Sequence, residues 1–377
     1  MNRETERRLV REAFAALDRG AAPLGETFTE NDAAAYTSPA RAAFERDLLF
    51  RRYPIVAGFS SELREPGDHT IDDLSLVPLL LVRDDAGALR AFANVCRHRG
   101  SKLVACSGRG ARAFTCPYHA WSYELDGRLR SIPDDYGFAG LERRAFGLIE
   151  LPAAERHGIV WVLPSAGAPL DLDTRLAGIG GELESYAIDG YRVVARRELR
   201  PRINWKIASD TFWEAYHIKV LHRQNVAPLF VKNLALFEPF GWNHRYVGIR
   251  RSIEDLRAMP ENEWELLPHA TILMSLFPNT ILVMQSDHLE CFRLFPDPEQ
   301  ANACRLDVTV LAPAASAGDP RWQRITDLLI GVVEQDFAIG ETIQRSFDSG
   351  VLERVVYGRY ENALEHFHRS VREALGA

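Results

Sequence analysis

Cysteine is scarce in this sequence: five among 377 residues, at Cys96, Cys106, Cys116, Cys291 and Cys304. An odd handful in a chain of this size fits no disulfide framework and points to a reducing compartment, with thiolates left free for metal binding. Long apolar runs are missing too, and none approaches the ~20 residues that cross a bilayer. The opening stretch, MNRETERRLVREAFAALDRG, lacks the apolar core of a secretion signal. Its Leu9, Val10, Phe14 and Leu17 recur at helical spacing instead, the pattern of a docking helix. A cytoplasmic protein is the expectation. A surplus of positive charge is lacking as well: the formal net charge is −7, which argues against nucleic acid or an anionic membrane surface as partner. No G-x-G-x-x-G follows a strand to cradle a dinucleotide. What remains, 46% hydrophobic and 26% charged residues, is an ordinary globular composition in a chain long enough for two domains.

The scarce residues are concentrated. Between Asn94 and Trp121, in NVCRHRGSKLVACSGRGARAFTCPYHAW, Cys96 and His98 stand two apart, and Cys116 and His119 three apart. Both pairs follow strand-like segments. PLLLVRDDAGALRAFANV reads as a hairpin across Asp84–Gly87, RAFTC as a strand, and WSYELDGRL as a second hairpin turning at Asp126-Gly127. Two loops, each offering one thiolate and one imidazole, make a four-ligand pincer. Structural zinc is one occupant, although Cys-x-His is an unusual zinc spacing. A Rieske [2Fe–2S] cluster is another, with two cysteines on one iron and two histidines on the second.

NVCRHRG and CPYHAWSYELDGRL resemble the cluster loops of the Rieske non-haem iron oxygenases, the α subunits of ring-hydroxylating oxygenases. Arg97, Arg99-Gly100, Pro117-Tyr118, Trp121 and Asp126-Gly127 all fit around the four ligands. By that resemblance Cys96 and Cys116 bind one iron of the cluster, and His98 and His119 the other. Cys106 matches no ligand position.

A cluster alone would make an electron carrier. NWKIASDTFWEAYHIKVLH, Asn204 to His222, points further. It reads as a buried helix in which Glu214 and His217, three apart, share a face. His217 and His222 are five apart, about 140° on a regular helix, so both reach one metal only if the helix ends or distorts between them. Two histidines and a carboxylate on one face of Fe(II) leave positions open for oxygen and substrate. The long helix ITDLLIGVVEQDFAIGETIQRSF offers Glu334, Asp336 and Glu341 for that acid, and spacing does not choose among them. The resemblance does: EQDFAIGETIQ is similar to the family segment that supplies the third ligand, which implies His217, His222 and Asp336 as the mononuclear iron site. It also implies Glu214 as the carboxylate bridging His217 to a cluster histidine, His119, of a neighbouring subunit, and hence a homotrimer. Relatives commonly read Glu-Asn where this chain has Asp210-Thr211, and many ring dioxygenases have Asp at the bridge.

After Cys96 and Cys116, three thiols remain, too few for a four-cysteine ferredoxin cluster. Electrons must therefore come from a separate NAD(P)H-dependent reductase, with or without a ferredoxin between. The hairpin TILMSLFPNTILVM suggests Met274, Leu276, Ile281 and Val283, with Trp213, as walls for an apolar, aromatic substrate. Those residues read equally as ordinary core. The expected fold is α+β. A β-rich Rieske domain over 45–165 lies between an N-terminal helical segment, 1–44, and a catalytic domain, 166–377. The catalytic domain is of helix-grip (START-like) type, a curved antiparallel sheet around a long C-terminal helix. The expected activity is O₂-dependent hydroxylation or oxidative demethylation of a small organic substrate. A monooxygenase acting on a quaternary amine, or on another non-aromatic substrate, is the alternative, and a plain Rieske electron carrier or a zinc-stapled binding protein the bland readings.

Overall fold

A computed structural model describes residues 1–376. The chain separates into two compact units, one of Met1–Leu49, Asp173–Ala187 and Tyr191–Ala377, the other of Phe50–Leu172 with Ile188–Gly190. These borders fall a few residues after the sequence-based 44/45 and 165/166. Among the described residues no helix is long and apolar enough to cross a membrane.

The larger unit is built on one antiparallel sheet of seven strands. Their order is Tyr191–Leu199, Cys304–Pro313, Leu289–Pro296, Thr280–Met284, Ala270–Leu276, Asn243–Arg250 and Phe230–Phe240. The central strands are buried along nearly their whole length, so both faces are covered and the polar side chains they carry must find partners. Arg293 does so on Asp307, at 3.1 Å. The helices Arg321–Asp348 and Asn362–Leu375 complete the unit. The first has the buried stripe Thr326, Val333, Phe337, Gly340, Gln344, with Asp336 in the same stripe. The N-terminal helix Arg3–Arg19 is capped by Asn2, closed by Gly20 in the left-handed conformation, and buries Leu9, Val10, Ala13 and Ala16. The stretch LFEPFGWNHRY forms the hairpin at one edge of the sheet, with Phe240 opposite Asn243.

Two of the buried histidines of this unit face each other. His366 donates from Nε2 to the Gly241 carbonyl at 2.9 Å, which leaves its Nδ1 to accept from His244 Nδ1 at 3.2 Å. Both rings are therefore neutral. Burial, and for His244 the neighbouring His366, lowers the first well below the ordinary histidine value; burial also lowers His366. The folded state refuses protons that the unfolded state takes up below about pH 6.5. Stability is then intact above pH 6.5 and lost as pH falls through 6 and 5, by up to about 1.4 kcal/mol per pH unit for each histidine. Urea unfolding at pH 7.5 and 5.5 should show that loss. His244→Phe should flatten it; an unchanged slope in that variant removes His244 as its source.

The smaller unit consists of short sheets. Ala153–Arg156, Ile159–Val162 and Ile55–Phe59 form one; His69–Asp72, Leu79–Arg83, Leu89–Ala93 and Glu150–Leu151 form the second. The third is Phe114–Thr115, Ser122–Tyr123 and Leu129–Ser131. Its core joins Leu80, Phe92, Phe114, Trp121 and Tyr123 to Cys96 and Cys116. The Asp126-Gly127 turn requires glycine twice over. Gly127 has φ +85°, and a Cβ there would lie 2.5 Å from the Phe92 ring.

Candidate metal centres and cavity

The two cysteine–histidine loops of the smaller unit share one backbone design. Cys96 N donates to the Ser101 carbonyl and Cys96 O accepts from Gly100 N; Cys116 N donates to the Trp121 carbonyl and Cys116 O accepts from Ala120 N. In each loop the fourth residue after the cysteine has positive φ, +78° at Gly100 and +56° at Ala120. That reversal turns a histidine and a cysteine of each loop toward the other loop. The thiols are buried, and the His98 and His119 rings lie 4.7 Å apart between centroids. His98 stacks on Trp121 at 4.9 Å, while Tyr123 Oη reaches Cys96 Sγ at 3.3 Å. Cysteines inside and imidazoles outward, His119 being exposed, is a donor set that fits a two-iron cluster with its histidine edge at the surface. Cys106 is exposed and Cys291 and Cys304 are buried elsewhere; none joins this group.

In the larger unit, Asn204 caps the helix Trp205–Asp210 by accepting from Lys206 N at 3.0 Å. The expected continuous helix to His222 does not form. The chain breaks after Asp210, and a single turn, Ile218–Leu221, follows with His217 at its N-cap and His222 at its C-cap. The two histidines flank that turn, and His222 departs from helical geometry at φ −101°, ψ 28° where the turn ends, with both rings directed to the same point. His217 Nε2 lies 3.6 Å and His222 Nε2 2.9 Å from Asp336 Oδ1, and the three candidate ligand atoms all fall within 4.8 Å of one another. Of the three acids the sequence offered on the long helix, Asp336 is the one so placed. Glu341 Oε1 instead accepts from Arg202 N.

Outer partners fix both rings. His217 Nδ1 donates to Glu214 Oε1, and the His217 backbone N donates to Glu214 Oε2 at 3.0 Å. His222 Nδ1 donates to Gln335 Oε1 at 3.0 Å. With each Nδ1 proton engaged, each Nε2 lone pair is left for a metal, the usual device for orienting ligand histidines. Burial by itself would lower the His217 pKa, but Glu214 and Asp336 together raise it above the ordinary value. The site is thus an anionic hole suited to a cation. Gln335 escaped the sequence reading because a glutamine beside a ligand carries no spacing signal.

The departure at Asp210 also finds its partners. Its carboxylate accepts from His368 Nε2 at 2.8 Å and from Tyr36 Oη at 2.8 Å, and Tyr36 meets Tyr357 Oη at 2.6 Å. Asn31 Nδ2 donates to His368 Nδ1 at 3.2 Å, which assigns the His368 proton to Nε2. Asp210 therefore anchors the end of the helix that leads into Glu214.

The three ligand candidates open into a cavity of about 760 Å³. Strand parity decides its wall. Tyr246, Gly248 and Arg250 line it, with Thr271, Leu273, Val283, Gln285, Glu290 and Phe292 across the neighbouring strands. Register makes one row of these: Tyr246 opposite Leu273, Leu273 opposite Val283, Val283 opposite Glu290. Of the five residues proposed from sequence, only Val283 lines the cavity. Met274 and Leu276 alternate to the opposite face of the sheet. Ile281 shares Val283's face but sits farther along the strand, opposite Ser275. Trp213 packs edge-on against His244 at 4.2 Å and donates to Ser209 Oγ at 3.0 Å. Phe230, over Gly248, takes space that a side chain at that position would need. Arg250, Phe230 and Tyr246 were not foreseen; the alternation 246, 248, 250 is the signal that would have found Tyr246 and Arg250, while Phe230 comes from the neighbouring strand.

Residues 54–140 match the Rieske [2Fe–2S] domain, and residues 188–377 match the ring-hydroxylating alpha subunit (catalytic domain). The chain belongs to this family: it is a Rieske non-haem iron oxygenase, with a [2Fe–2S] cluster and a mononuclear iron as its cofactors. Among its relatives is the glycine betaine monooxygenase oxygenase subunit of Chromohalobacter salexigens, 25% identical over 86% of this chain and 80% of that protein. The chlorobenzene dioxygenase subunit alpha of a Cupriavidus species is 32% identical over 48% of this chain and 42% of its own length. In fold the chain is similar to a quaternary ammonium Rieske monooxygenase solved in complex with L-carnitine. There the TM-score is 0.79 at 21% identity, covering 92% of this chain and 95% of that one.

Proposed function

We propose that this protein is the terminal oxygenase of a multicomponent monooxygenase. It would take electrons from a separate reductase and oxidise a small quaternary amine in the cavity above Asp336. The observation carrying the oxygenase reading is the convergence of His217, His222 and Asp336 at the end of a cavity large enough for a small organic molecule. The quaternary amine is supported by the glycine betaine monooxygenase relative, which matches 86% of the chain where the chlorobenzene dioxygenase subunit matches 48%. Aromatic faces of Phe212, Phe230, Tyr246 and Phe292 on the cavity wall suit a trimethylammonium group through cation–π attraction. The same faces suit an arene, the reading that the chlorobenzene dioxygenase relative favours.

When bound, the cluster supplies one-electron storage and the lone iron supplies dioxygen activation. The protein's own share is positional. His217, His222 and Asp336 would hold the ion from one side and leave the cavity side open. Glu214 and Gln335 hold the Nδ1 protons so that neither ring turns. The apolar wall keeps water from the reacting face. In a head-to-tail ring of subunits, a trimer by the family resemblance, the exposed His119 of one subunit would meet Glu214 of the next. Glu214 would then accept an N–H from each imidazole and couple the two centres.

A panel of quaternary amines, arenes and ethers with a surrogate reductase, read by oxygen uptake and mass spectrometry, tests the activity. Oxygen uptake without product from any of them defeats it. Glu214→Gln should keep the cluster spectrum and lower product formation about 10–100-fold, the usual range for an outer partner of a ligand histidine. Turnover within about twofold of the parent would remove Glu214 from the electron path.

A further inference from the structure

The cavity wall contains a buried guanidinium with no ion pair at contact distance among the described residues: burial lowers the Arg250 pKa, and Glu290 and Asp287 offset that only from farther off. Arg250 ends the strand Asn243–Arg250, and its Nη2 is tied down by Gln285 Oε1 at 2.6 Å and Thr271 Oγ1 at 3.1 Å. Its Nε is buried with no acceptor, and no protein group accepts from Nη1 among the described residues. The nearest acid on the wall is engaged elsewhere. Glu290 Oε1 takes His288 Nε2 at 3.1 Å and Gln285 Nε2 at 3.3 Å. His288 also meets Asp287 Oδ1 from Nδ1 at 2.7 Å, so Glu290 is held in a network of its own. Two further wall acids, Glu214 and Asp336, belong to the metal site. Basic side chains on the wall outnumber acidic ones five to three, in a chain whose formal net charge is −7. A guanidinium this well oriented, with unused donors in a cavity, matches a planar carboxylate. An uncharged substrate would leave those donors unpaired, at a cost in affinity.

We infer that Arg250 is a specificity-determining residue that receives a carboxylate of the substrate, with the carbon to be oxidised held toward Asp336. The enzyme would thus take a small organic acid, or a zwitterion with its cationic end on the aromatic faces, and discriminate against the matching alcohol. This rests on the cavity being the substrate site, as proposed above, but not on the substrate being a quaternary amine.

Two matched pairs separate these claims: glycine betaine against choline, and benzoate against benzyl alcohol. Each is titrated calorimetrically into the holoenzyme and into its Arg250→Gln and Arg250→Lys variants, with steady-state kinetics for any member that turns over. In the parent, the acid of whichever pair binds should bind at least tenfold tighter than its alcohol. Arg250→Gln should weaken the acid about 10- to 100-fold, the range for a charge-assisted hydrogen bond, and raise KM more than it lowers kcat, while the alcohol changes less than twofold. Arg250→Lys should recover part of the loss, and it keeps the charge if the glutamine variant folds poorly. Equal treatment of acid and alcohol by the parent, or equal weakening of both in the variants, overturns the inference. If benzoate shows this pattern and glycine betaine does not bind, the carboxylate anchor stands and the quaternary amine reading falls.

Discussion

Replacing Asp336 with alanine should strip the enzyme of its lone iron while the two-iron cluster stays. Three donors would hold that ion, and Asp336 is both the one carboxylate among them and the common neighbour of the two Nε2 atoms. Without it two neutral imidazoles remain, on a short segment whose backbone is otherwise fixed by Glu214. The cluster loops belong to the other unit and share no donor with this site. Iron analysis should therefore show a loss of one ion per chain, with the visible spectrum of the cluster unchanged. Product formation should fall more than about 100-fold, beyond the range seen when outer partners alone are removed. Substrate binding at Arg250 should survive. An Asp336→Ala protein that retains the ion and turns over would mean that another acid completes the site.

The second large effect lies outside the site. Lys206 and Glu45 form a fully buried ion pair, each about 1% exposed at the side chain. The ammonium reaches both carboxylate oxygens, at 2.7 and 2.5 Å, and the carboxylate also accepts from Trp205 Nε1 at 2.9 Å and Arg41 Nε at 3.2 Å. Burial, partly offset by Glu45, lowers the Lys206 pKa. Lys206→Met leaves a buried carboxylate short of its main partner, and breaking such a pair costs about 3–5 kcal/mol. Because Lys206 sits in the helix that ends at Asp210, the variant should lose iron from the lone site before it unfolds in urea. The double variant Lys206→Met with Glu45→Leu should recover most of the stability, since an apolar pair of similar volume removes both charges. A single variant within about 1 kcal/mol of the parent would show that Arg41 and Trp205 satisfy Glu45 unaided.

Much of this was legible in the sequence. The cluster ligands stand close together in two loops of strong local character, and each loop's design is set within six residues: a cysteine, a reversal four residues on, and a closing hydrogen bond. His217 and His222 were legible as candidates too, together with the condition that the helix end or distort between them; the turn ends at His222. Asp336 was legible by resemblance alone, because three acids on one helix differ in which way they face, and helical phase relative to a distant segment is not a local property. The substrate wall was the least readable part. Met274, Leu276 and Val283 look alike as apolar strand residues, yet alternation and register send two of them away from the cavity.

By itself the sequence determined the kind of protein: which residues are chemically able to hold metal, how they are spaced, and that no dinucleotide motif accompanies them. Those facts are short-range, carried by side-chain chemistry and by separations of a few residues. Only the tertiary structure decided the company those residues keep: Gln335 behind His222, His368 and Tyr36 behind Asp210, Glu45 under Lys206, and Arg250 on the cavity wall beside Gln285 and Thr271. Each of those pairings joins segments far apart in the chain. Which of many possible partners meets which is fixed by strand register and helix phase as the core packs, where an unpaired buried polar group costs too much to keep.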